Sequence, residues 1–375
     1  MPSVPHNLEP LDVELIGIIV NNMRTNTPKH CDYIISENED GITILRYIGN
    51  EESSTLSIPS IINSKPVTMI GHNAFSNLMN TNPNITEVVI PSTVKIIKEK
   101  SFKDNANIEK INIKDNSVLT NIEDEAFAYI PKLTSFSIPS NLSYLGNGVF
   151  RGDKLNTINC NDNYTWQDKL LSSNDVIYYG NKTNVIVPDH ITSIADYAFA
   201  NSDLASIELN NVNNVGLYAF YNSNLCNITN FEKLDTISSS ALIGTPWFKD
   251  NVNTETSTLI LGNVLVYMYT EEDIIIVPSG VVRIIANSIV GSNIKTAVVP
   301  DSVKYINGGA FNETPKLNSL ILEGTVPPNI TDTSIKSNVT IFVKEGYLNT
   351  YLNDIIYKVL PNTITLNQLI LHLKI

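Results

Sequence analysis

Residues 85–102 read ITEVVIPSTVKIIKEKSF, and the pattern in this stretch returns through most of the chain. A β-branched run ends at Pro91, and a large apolar residue, Phe102, follows eleven positions later. The same spacing of eleven separates Pro139 from Phe150, Pro188 from Phe199, Pro278 from Ile289 and Pro300 from Phe311. A fixed period of this kind is typical of a solenoid, in which repeats stack and bury a continuous core.

The large apolar residue of each repeat is its anchor. The anchors are Phe75, Phe102, Phe127, Phe150, Phe199, Phe220, Leu242, Ile289 and Phe311. Most consecutive anchors lie 21 to 27 residues apart, but the gaps 150–199 and 242–289 are each about two repeats long. We therefore expect hairpin insertions in these gaps, near residues 160–182 and 246–272. The second gap contains Gly262-Asn263 between two apolar runs, which is a hairpin turn signal.

Alternation within a repeat predicts which side chains face the core. Successive side chains of a strand point to opposite faces, so Val88 and Ile90 share one face and Val89 lies on the other. Pro91 has no N–H and ends the hydrogen-bond ladder. The same pattern predicts strands near residues 88–90, 136–138, 185–187, 275–277, 297–299 and 320–322. We expect one curved solenoid of the α/β repeat class, with a parallel sheet on one face and turns or short helices on the other.

Three segments resemble the leucine-rich repeats of the BspA type: ITEVVIPSTVKIIKEKSF, LTSFSIPSNLSYLGNGVF (133–150) and IKTAVVPDSVKYINGGAF (294–311). The resemblance covers roughly residues 31 to 355 and implies the right-handed coil of leucine-rich repeats, about a dozen coils in all. It also implies a binding function, because the family is found in surface proteins of anaerobic bacteria and some protozoan parasites. Family members often carry cysteine after the anchor, where this chain has Asn77, Asn201, Asn222 and Ser292.

The predicted organisation has four parts. Residues 1–30 are a leader or N-terminal cap, with helix-like spacing from Leu11 to Arg24. Residues 31–48 form an N-terminal hairpin, residues 49–343 form the solenoid, and residues 344–375 form a C-terminal cap. Gly346 to Asp354 predicts a final helix within that cap.

The charge balance excludes one large class of partner. The formal net charge is −13, whereas a phosphate binder needs clustered Lys and Arg, so we expect no nucleic acid partner. No apolar run approaches the roughly 18 to 20 residues of a membrane span, so we expect no membrane insertion. The N-terminal residues do not have the form of a signal peptide. The family resemblance nevertheless implies a cell-surface or secreted protein, with a cytoplasmic location as the alternative.

The motifs of common enzymes and metal sites do not occur. The five histidines are scattered without an HExxH pair, and neither a GxSxG nor a GxxxxGK[ST] motif is present. Cys31, Cys160 and Cys226 have no CxxC spacing, so we expect small, partly buried residues rather than a disulfide framework or zinc site. We therefore predict a non-enzyme without cofactor or metal.

The C-terminal repeats differ from the others on their outward face. Side chains alternate along each strand, so counting back from the repeat proline, or from the equivalent position of a repeat without one, shows which residues face outward. This count places Ile274, Ile276, Val298 and Ile321 on the outward face, with Thr296 and Ser319 at their rim. The equivalent positions of the N-terminal repeats are mostly polar. We predict that these six residues form a binding surface for a protein ligand or a second copy of the chain. The alternative is that isoleucine and valine are present only because they suit strands.

Three functions fit this sequence. The first is adhesion of a cell-surface or secreted module to a host, matrix or other surface protein. The second is an intracellular scaffold for protein interactions. The third is a carbohydrate-binding surface, which would need exposed pairs of tryptophan or tyrosine; Trp166 and Trp247 instead fall at the starts of the two insertions.

Overall fold

The computed structural model describes residues 32–167, 170–173, 175–252, 257–330, 335, 339–353 and 366–368. The chain divides into two compact units, Met1–Lys182 and Thr183–Ile375. The predicted leader, its helix-like stretch and Cys31 lie outside the described residues. A coil contributes a front strand, which ends one or two residues before the repeat proline where the repeat has one, and a shorter side strand, in most coils of two residues, further along the coil.

The first unit begins with an antiparallel hairpin of β1 (Tyr33–Asn38) and β2 (Gly41–Tyr47). The Asn38 Oδ1 atom closes the turn, because it accepts hydrogen bonds from the N–H groups of Asp40 and Gly41 at 3.0 Å. Gly41 has a φ of 137°, and a Cβ atom there would lie 2.5 Å from the Pro66 carbonyl oxygen. Strand β2 then pairs in parallel with β5, the first side strand.

The coils of the first unit form two sets of strands. The front strands are β3 (Thr55–Ser57), β6 (Glu87–Ile90), β8 (Lys110–Ile113), β10 (Ser135–Ser137) and β12 (Thr157–Asn159). The side strands are β5 (Lys65–Ile70), β7 (Ile96–Ile97), β9 (Asn121–Ile122) and β11 (Tyr144–Leu145), and the short strand β4 (Ile61–Ile62) pairs antiparallel with β5. A 3-10 turn spans Leu78–Asn80. Strands β3, β6 and β8 form one parallel sheet, β10 and β12 form a second, and β5, β7, β9 and β11 are parallel neighbours in a third.

The first insertion is an antiparallel meander. Its strands are β13 (Thr165–Gln167), β14 (Leu170–Ser173) and β15 (Val176–Gly180). The meander packs on the preceding coil, where the Tyr179 hydroxyl donates to the Asp153 carbonyl oxygen at 2.9 Å and accepts from the Leu155 N–H at 3.2 Å.

The second unit repeats this arrangement of front and side strands. Its front strands are β16 (Asn184–Ile186), β18 (Ser206–Glu208), β20 (Asn227–Thr229), β24 (Ile274–Ile276), β27 (Thr296–Val299), β29 (Ser319–Leu322), β31 (Thr340–Val343) and β32 (Leu366–Gln368). Its side strands and hairpin are β17 (Ser193–Ile194), β19 (Asn214–Val215), β21 (Thr236–Ile237), β22 (Thr258–Leu261), β23 (Val264–Tyr269), β25 (Arg283–Ile284), β26 (Ile289–Val290), β28 (Tyr305–Ile306) and β30 (Asn329–Ile330). The helices are α1 (Pro246–Asn251) and α2 (Leu348–Asn353). Strands β24, β27, β29, β31 and β32 form one parallel sheet.

The front strands lie within one residue of the predicted positions, and their burial alternates as the pattern indicates. Val88 and Ile90 are buried and Val89 between them is half-buried. The anchors fill the interior: Phe102, Phe127, Phe150, Phe199, Phe220 and Phe311 are each 1% exposed or less. Their rings stack along the coils, with centroids 5.0 Å apart for Phe75 and Phe102 and 5.8 Å apart for Phe199 and Phe220. Phe311 instead lies in an apolar cluster with the aliphatic anchor Ile289.

The turns around the anchors correct the predicted fold class. Residues two before an anchor have a left-handed backbone: Asn73, Lys100, Glu125, Gly148, Tyr197, Tyr218, Asn287 and Gly309. So do residues two after an anchor: Asn77, Asp104, Tyr129, Gly152, Asn201, Asn222 and Gly244. A left-handed residue interrupts a right-handed helix. The turn backbone also bonds between coils, as in Phe102 N to Ala126 O at 2.8 Å, so its N–H groups are not available for a helix.

The α/β class is therefore wrong. In the described ranges the two α-helices are only six residues long, and the fold is a β-solenoid of leucine-rich-repeat type rather than a solenoid with a helical face.

A small or polar side chain three residues after the anchor closes the turn. It donates a hydrogen bond to the carbonyl oxygen of the anchor in five coils: Asn105, Ser202, Ser223, Thr245 and Thr314, at 2.6 to 2.7 Å. The bond satisfies a backbone acceptor that the interior would otherwise leave without a partner. Asn77, Asn201 and Asn222, which stand in the zone where the family often has cysteine, are instead left-handed turn residues.

Candidate binding surface

The six predicted surface residues lie on three adjacent strands of one sheet. The strand register pairs Ile276 with Val298 and Val298 with Ile321. It continues from Ile321 to Phe342 on β31, so the outward apolar row has four members: Ile276, Val298, Ile321 and Phe342. Neighbouring strands are about 4.8 Å apart, which lets adjacent side chains touch.

A second row runs beside the apolar row and is mostly polar. It joins Ile274, Thr296, Ser319 and Thr340 in register. The structure therefore brings all six predicted residues together, with Thr296 and Ser319 beside the apolar row as expected.

Phe342 was missed because the outward rows were followed only as far as Ser319 and Ile321, although the predicted solenoid extends to residue 343. The signal that could have identified it is the same alternation, since Ile341 and Val343 are buried and Phe342 between them faces outward and is half-buried.

Exposure along the apolar row follows the position of each strand in the sheet. Strand β24 is the edge strand, so its outward residues have a neighbouring strand on one side only. Ile274 and Ile276 are accordingly 55% and 56% exposed. Val298 and Ile321 lie on strands β27 and β29, which have a neighbouring strand on each side, and both side chains are half-buried. An open groove of 360 Å³ runs along the edge strand and is lined by residues of β23 and β24 with Glu271 between them.

Charged groups lie at the rim of this surface rather than within it. Lys295 Nζ and Asp273 Oδ2 are 2.7 Å apart at the strand starts, with both side chains more than half exposed, so the pair contributes little stability. The Tyr269 hydroxyl donates to Glu271 Oε1 at 2.8 Å, and this hydrogen bond raises the pKa of Tyr269. The centre of the surface is thus apolar and its border is polar, which is the arrangement of many protein interfaces.

The outward positions of the first unit carry mostly polar side chains. In its three-stranded front sheet the register joins Ser57, Val89 and Asn112, and the Asn112 amide donates to Glu87. In the next sheet the Asn159 amide donates to the Ser137 hydroxyl at 3.0 Å. Hydrogen bonds between outward side chains thus stand where the sheet of β24, β27, β29 and β31 has its apolar row.

Metal and thiol chemistry find no support in the described part of the chain. Within those ranges no group of three or more His, Cys, Asp or Glu side chains is arranged to hold a metal ion. Cys160 and Cys226 are free thiols. Burial raises the pKa of Cys160, which is half-buried, but Cys226 is exposed rather than partly buried as expected. Across the same ranges no helix combines the length and apolar character that crossing a bilayer requires.

Several solved structures are similar to the chain at low sequence identity. The pneumococcal vaccine antigen PcpA is 16% identical over 90% of this chain and 97% of its own, with a TM-score of 0.38. A leucine-rich cell surface protein of Faecalibacterium prausnitzii is 19% identical over 78% of this chain and 93% of its own, with a TM-score of 0.29. The leucine-rich repeat protein of T. pallidum is 19% identical over 60% of this chain and 99% of its own, with a TM-score of 0.33. A comparison with curated protein sequences gives no match.

The family comparison covers most of the sequence. The model of the BspA type leucine-rich repeat region, which contains six copies of the repeat, matches residues 46–177, 171–260 and 251–367. These overlapping matches run without a break from residue 46 to residue 367 and include every anchor. The chain therefore belongs to the BspA type leucine-rich repeat family.

Proposed function

We propose that the chain is a non-catalytic adhesion module of the cell surface or of secreted material, and that its apolar row binds a protein ligand. BspA type repeat proteins are typically cell-surface or secreted, and leucine-rich repeat proteins generally bind proteins without catalysing a reaction. The observation that carries the proposal is the register of Ile276, Val298, Ile321 and Phe342 on one outward face. Contiguous exposed apolar area often marks an interaction site.

The free energy gained by covering the exposed isoleucines is too small to hold a complex together without further contacts. Fully burying an isoleucine side chain stabilises a complex by about 1.5–3 kcal/mol. Ile274 and Ile276 are each slightly more than half exposed, so covering both contributes roughly 2–3 kcal/mol. Association itself costs more than this. The row therefore forms the apolar centre of a larger interface. The hydroxyl groups of Thr296, Ser319 and Thr340 supply hydrogen bonds beside it.

β-propensity is the competing explanation for these side chains. It accounts for isoleucine and valine at any strand position, but it gives no reason for their alignment on adjacent strands of one sheet. In the first three front strands of the second unit the corresponding row contains Ile186, Glu208 and Thr229, where a single apolar residue stands among polar ones. An intracellular scaffold would use the same surface, so the location needs its own test.

The binding surface is tested by the double variant Ile276→Glu with Val298→Lys. Its matched control is Ser57→Glu with Val89→Lys, which places the same two charges at paired outward positions of the first unit. Both variants should fold, because none of these four side chains is in the core. Wild type and control should bind a member of a panel of purified matrix and serum proteins, and the Ile276 variant should bind it at least tenfold more weakly.

Two outcomes would contradict the proposal. One is a folded Ile276 variant that retains wild-type affinity. The other is wild-type protein that binds no member of the panel and sediments as a monomer at all concentrations. The location is tested separately, by asking whether external protease cleaves the chain on intact source cells; protection of the chain would favour the intracellular scaffold.

A further inference from the structure

A second groove lies in the first unit, beside side strand β11. Its volume is 300 Å³, and it is open to solvent. Three tyrosines line it: Tyr144 from β11, Tyr164 directly before β13 in the first insertion, and Tyr178 from β15. Polar groups complete the lining, namely Ser143, Asp162, Asn163 and Ser173, while Leu145 is the one aliphatic residue in it. The apolar row has no part in this groove, because that row belongs to the second unit.

Contacts within the fold hold Tyr164 and Tyr178 in place beside the groove. Side chains alternate along β15, so Tyr179 is buried in the core while Tyr178 faces the groove. The rings of Tyr164 and Tyr178 meet edge to face, with centroids 6.1 Å apart. Tyr164 is buried and hydrogen bonds to the backbone of Leu145. These contacts fix Tyr164 and Tyr178, while Tyr144, which is 47% exposed, contributes an open ring to the lining.

The polar loop at the groove is also fixed. The Asn163 amide donates to the Leu142 carbonyl oxygen at 3.0 Å, and the Asn163 N–H donates to Asn161 Oδ1 at 2.9 Å. Asn161 in turn donates to the Pro139 carbonyl oxygen at 2.8 Å. Asp162 lies between these two held residues and is exposed, so its carboxylate is presented to solvent at the rim.

Charge limits what this groove can accept. The carboxylates of Asp124 and Glu123 lie near Tyr144, and Asp162 adds a negative group at the rim; of these, Glu123 is paired with Lys98, whose Nζ lies 2.7 Å from Glu123 Oε1. Burial raises the pKa of Tyr144 most, and the Asp124 and Glu123 carboxylates raise it further. Phosphate, sulfate and carboxylate ligands are repelled by such a field.

We propose that this groove binds a neutral pyranose unit of a glycan. The C–H face of a pyranose ring packs on an exposed tyrosine such as Tyr144, and sugar hydroxyl groups donate to a carboxylate and exchange hydrogen bonds with amide and hydroxyl groups. A volume of 300 Å³ is at the lower end of the range for small-ligand sites and suits one or two sugar rings. An apolar peptide fits less well, because the groove offers it a single aliphatic side chain.

Saturation-transfer NMR tests the proposal with four probes on the full chain. Lactose, maltose and N,N′-diacetylchitobiose are neutral disaccharides, and 3′-sialyllactose adds one negative charge to lactose. The test variant is Tyr144→Ala. Its matched control is Tyr305→Ala, because Tyr305 is also the first residue of a two-residue side strand and is 40% exposed. At Tyr305 the Arg283 guanidinium carbon lies 4.1 Å from the ring centroid and covers that ring.

We expect at least one neutral disaccharide to bind wild type and the Tyr305 variant, and Tyr144→Ala to lower that affinity at least tenfold. Sialyllactose should bind more weakly than lactose, and Asp162→Asn should reduce the difference between these two probes. Ile276→Glu with Val298→Lys should bind the disaccharide normally. The proposal is overturned if no neutral disaccharide binds at millimolar concentration, if Tyr144→Ala binds as well as wild type, or if Tyr144→Ala affects only binding to the protein panel.

Discussion

Asn105 and Asp153 occupy equivalent positions, each three residues after a buried phenylalanine, but one ends in an amide and the other in a carboxyl group. The Asn105 amide nitrogen donates to the carbonyl oxygens of Phe75 and Phe102 at 2.8 and 2.7 Å. Its Oδ1 atom accepts the Leu78 N–H at 2.7 Å. The asparagine therefore satisfies backbone groups of two coils at once.

Asp153 reproduces only half of that arrangement. Its Oδ1 atom accepts the Ile130 N–H at 2.6 Å, while its buried Oδ2 atom has no hydrogen-bond partner among the described residues. Burial raises the pKa of Asp153 well above its ordinary value, and the Ile130 N–H opposes this only in part. The neutral acid, which carries a proton that can be donated, is thus the form that the folded state favours.

Asp153 should make stability depend on pH. Its contribution is complete below the ordinary carboxyl pKa, falls as pH rises above that value, and is lost once pH exceeds the raised folded-state pKa. The free energy of unfolding should fall by up to about 1.4 kcal/mol per pH unit in that window. Asp153→Asn should remove this slope, and Asn105→Asp should introduce a second one. The slope is measured by urea unfolding of wild type, Asp153→Asn and Asn105→Asp at a series of pH values. If the unfolding free energies of wild type and Asp153→Asn change in parallel with pH, Asp153 is ionised in the folded state.

Phe199→Ala should be among the most destabilising single changes. Phe199 is fully buried and its ring stacks on Phe220 at 5.8 Å. Removing a buried phenylalanine ring costs about 3–5 kcal/mol. Because each coil contacts mainly its neighbours, hydrogen-exchange protection should fall most in the adjacent coils. Leu217→Ala, an exposed position, is the control and should change stability by less than about 0.5 kcal/mol. Equal losses for both variants would mean that the anchor is assigned incorrectly.

Thr245 joins the end of one coil to the start of α1. Its hydroxyl donates to the Leu242 carbonyl oxygen at 2.7 Å and accepts the Phe248 N–H at 3.1 Å. Thr245→Ala removes both bonds at a buried site and should cost about 1–3 kcal/mol in urea unfolding. Thr245→Ser keeps the hydroxyl and should retain most of the stability. A serine variant as unstable as the alanine variant would assign the effect to the lost methyl group instead.

The sequence predicts the core because repeat spacing and alternation are local signals. Pro91 and Phe102 indicate where a front strand ends and where the interior residue follows, and the six front strands predicted from this pattern agree with the structure within one residue. The backbone conformation of the turns cannot be predicted from spacing and alternation. Lys100, Glu125 and Tyr197 adopt a left-handed backbone that favours glycine, since hydrogen bonds to the next coil, such as Lys100 N to Asp124 O at 3.0 Å, determine their conformation.

Surface sites that join distant segments are harder still to predict. The apolar row follows from alternation along each front strand, which predicts Ile276, Val298 and Ile321 and would also have identified Phe342. The tyrosine groove was not, because it depends on how the first insertion places Tyr164 and Tyr178 beside Tyr144. An insertion has no repeat partner from which its register could be inferred.

Alternation counted from the repeat proline divides a front strand such as β24 into core and surface residues, and we propose that it thereby presents the apolar row to a partner. Ile275 and Ile276 are sequence neighbours on β24, but they are 2% and 56% exposed. The decisive measurement is the urea unfolding free energy of Ile275→Glu beside that of Ile276→Glu. The first should lose at least about 3 kcal/mol because it buries a carboxylate, and the second should stay within about 0.5 kcal/mol of wild type. Equal losses, or a larger loss for Ile276→Glu, would contradict this division of β24 into core and surface residues.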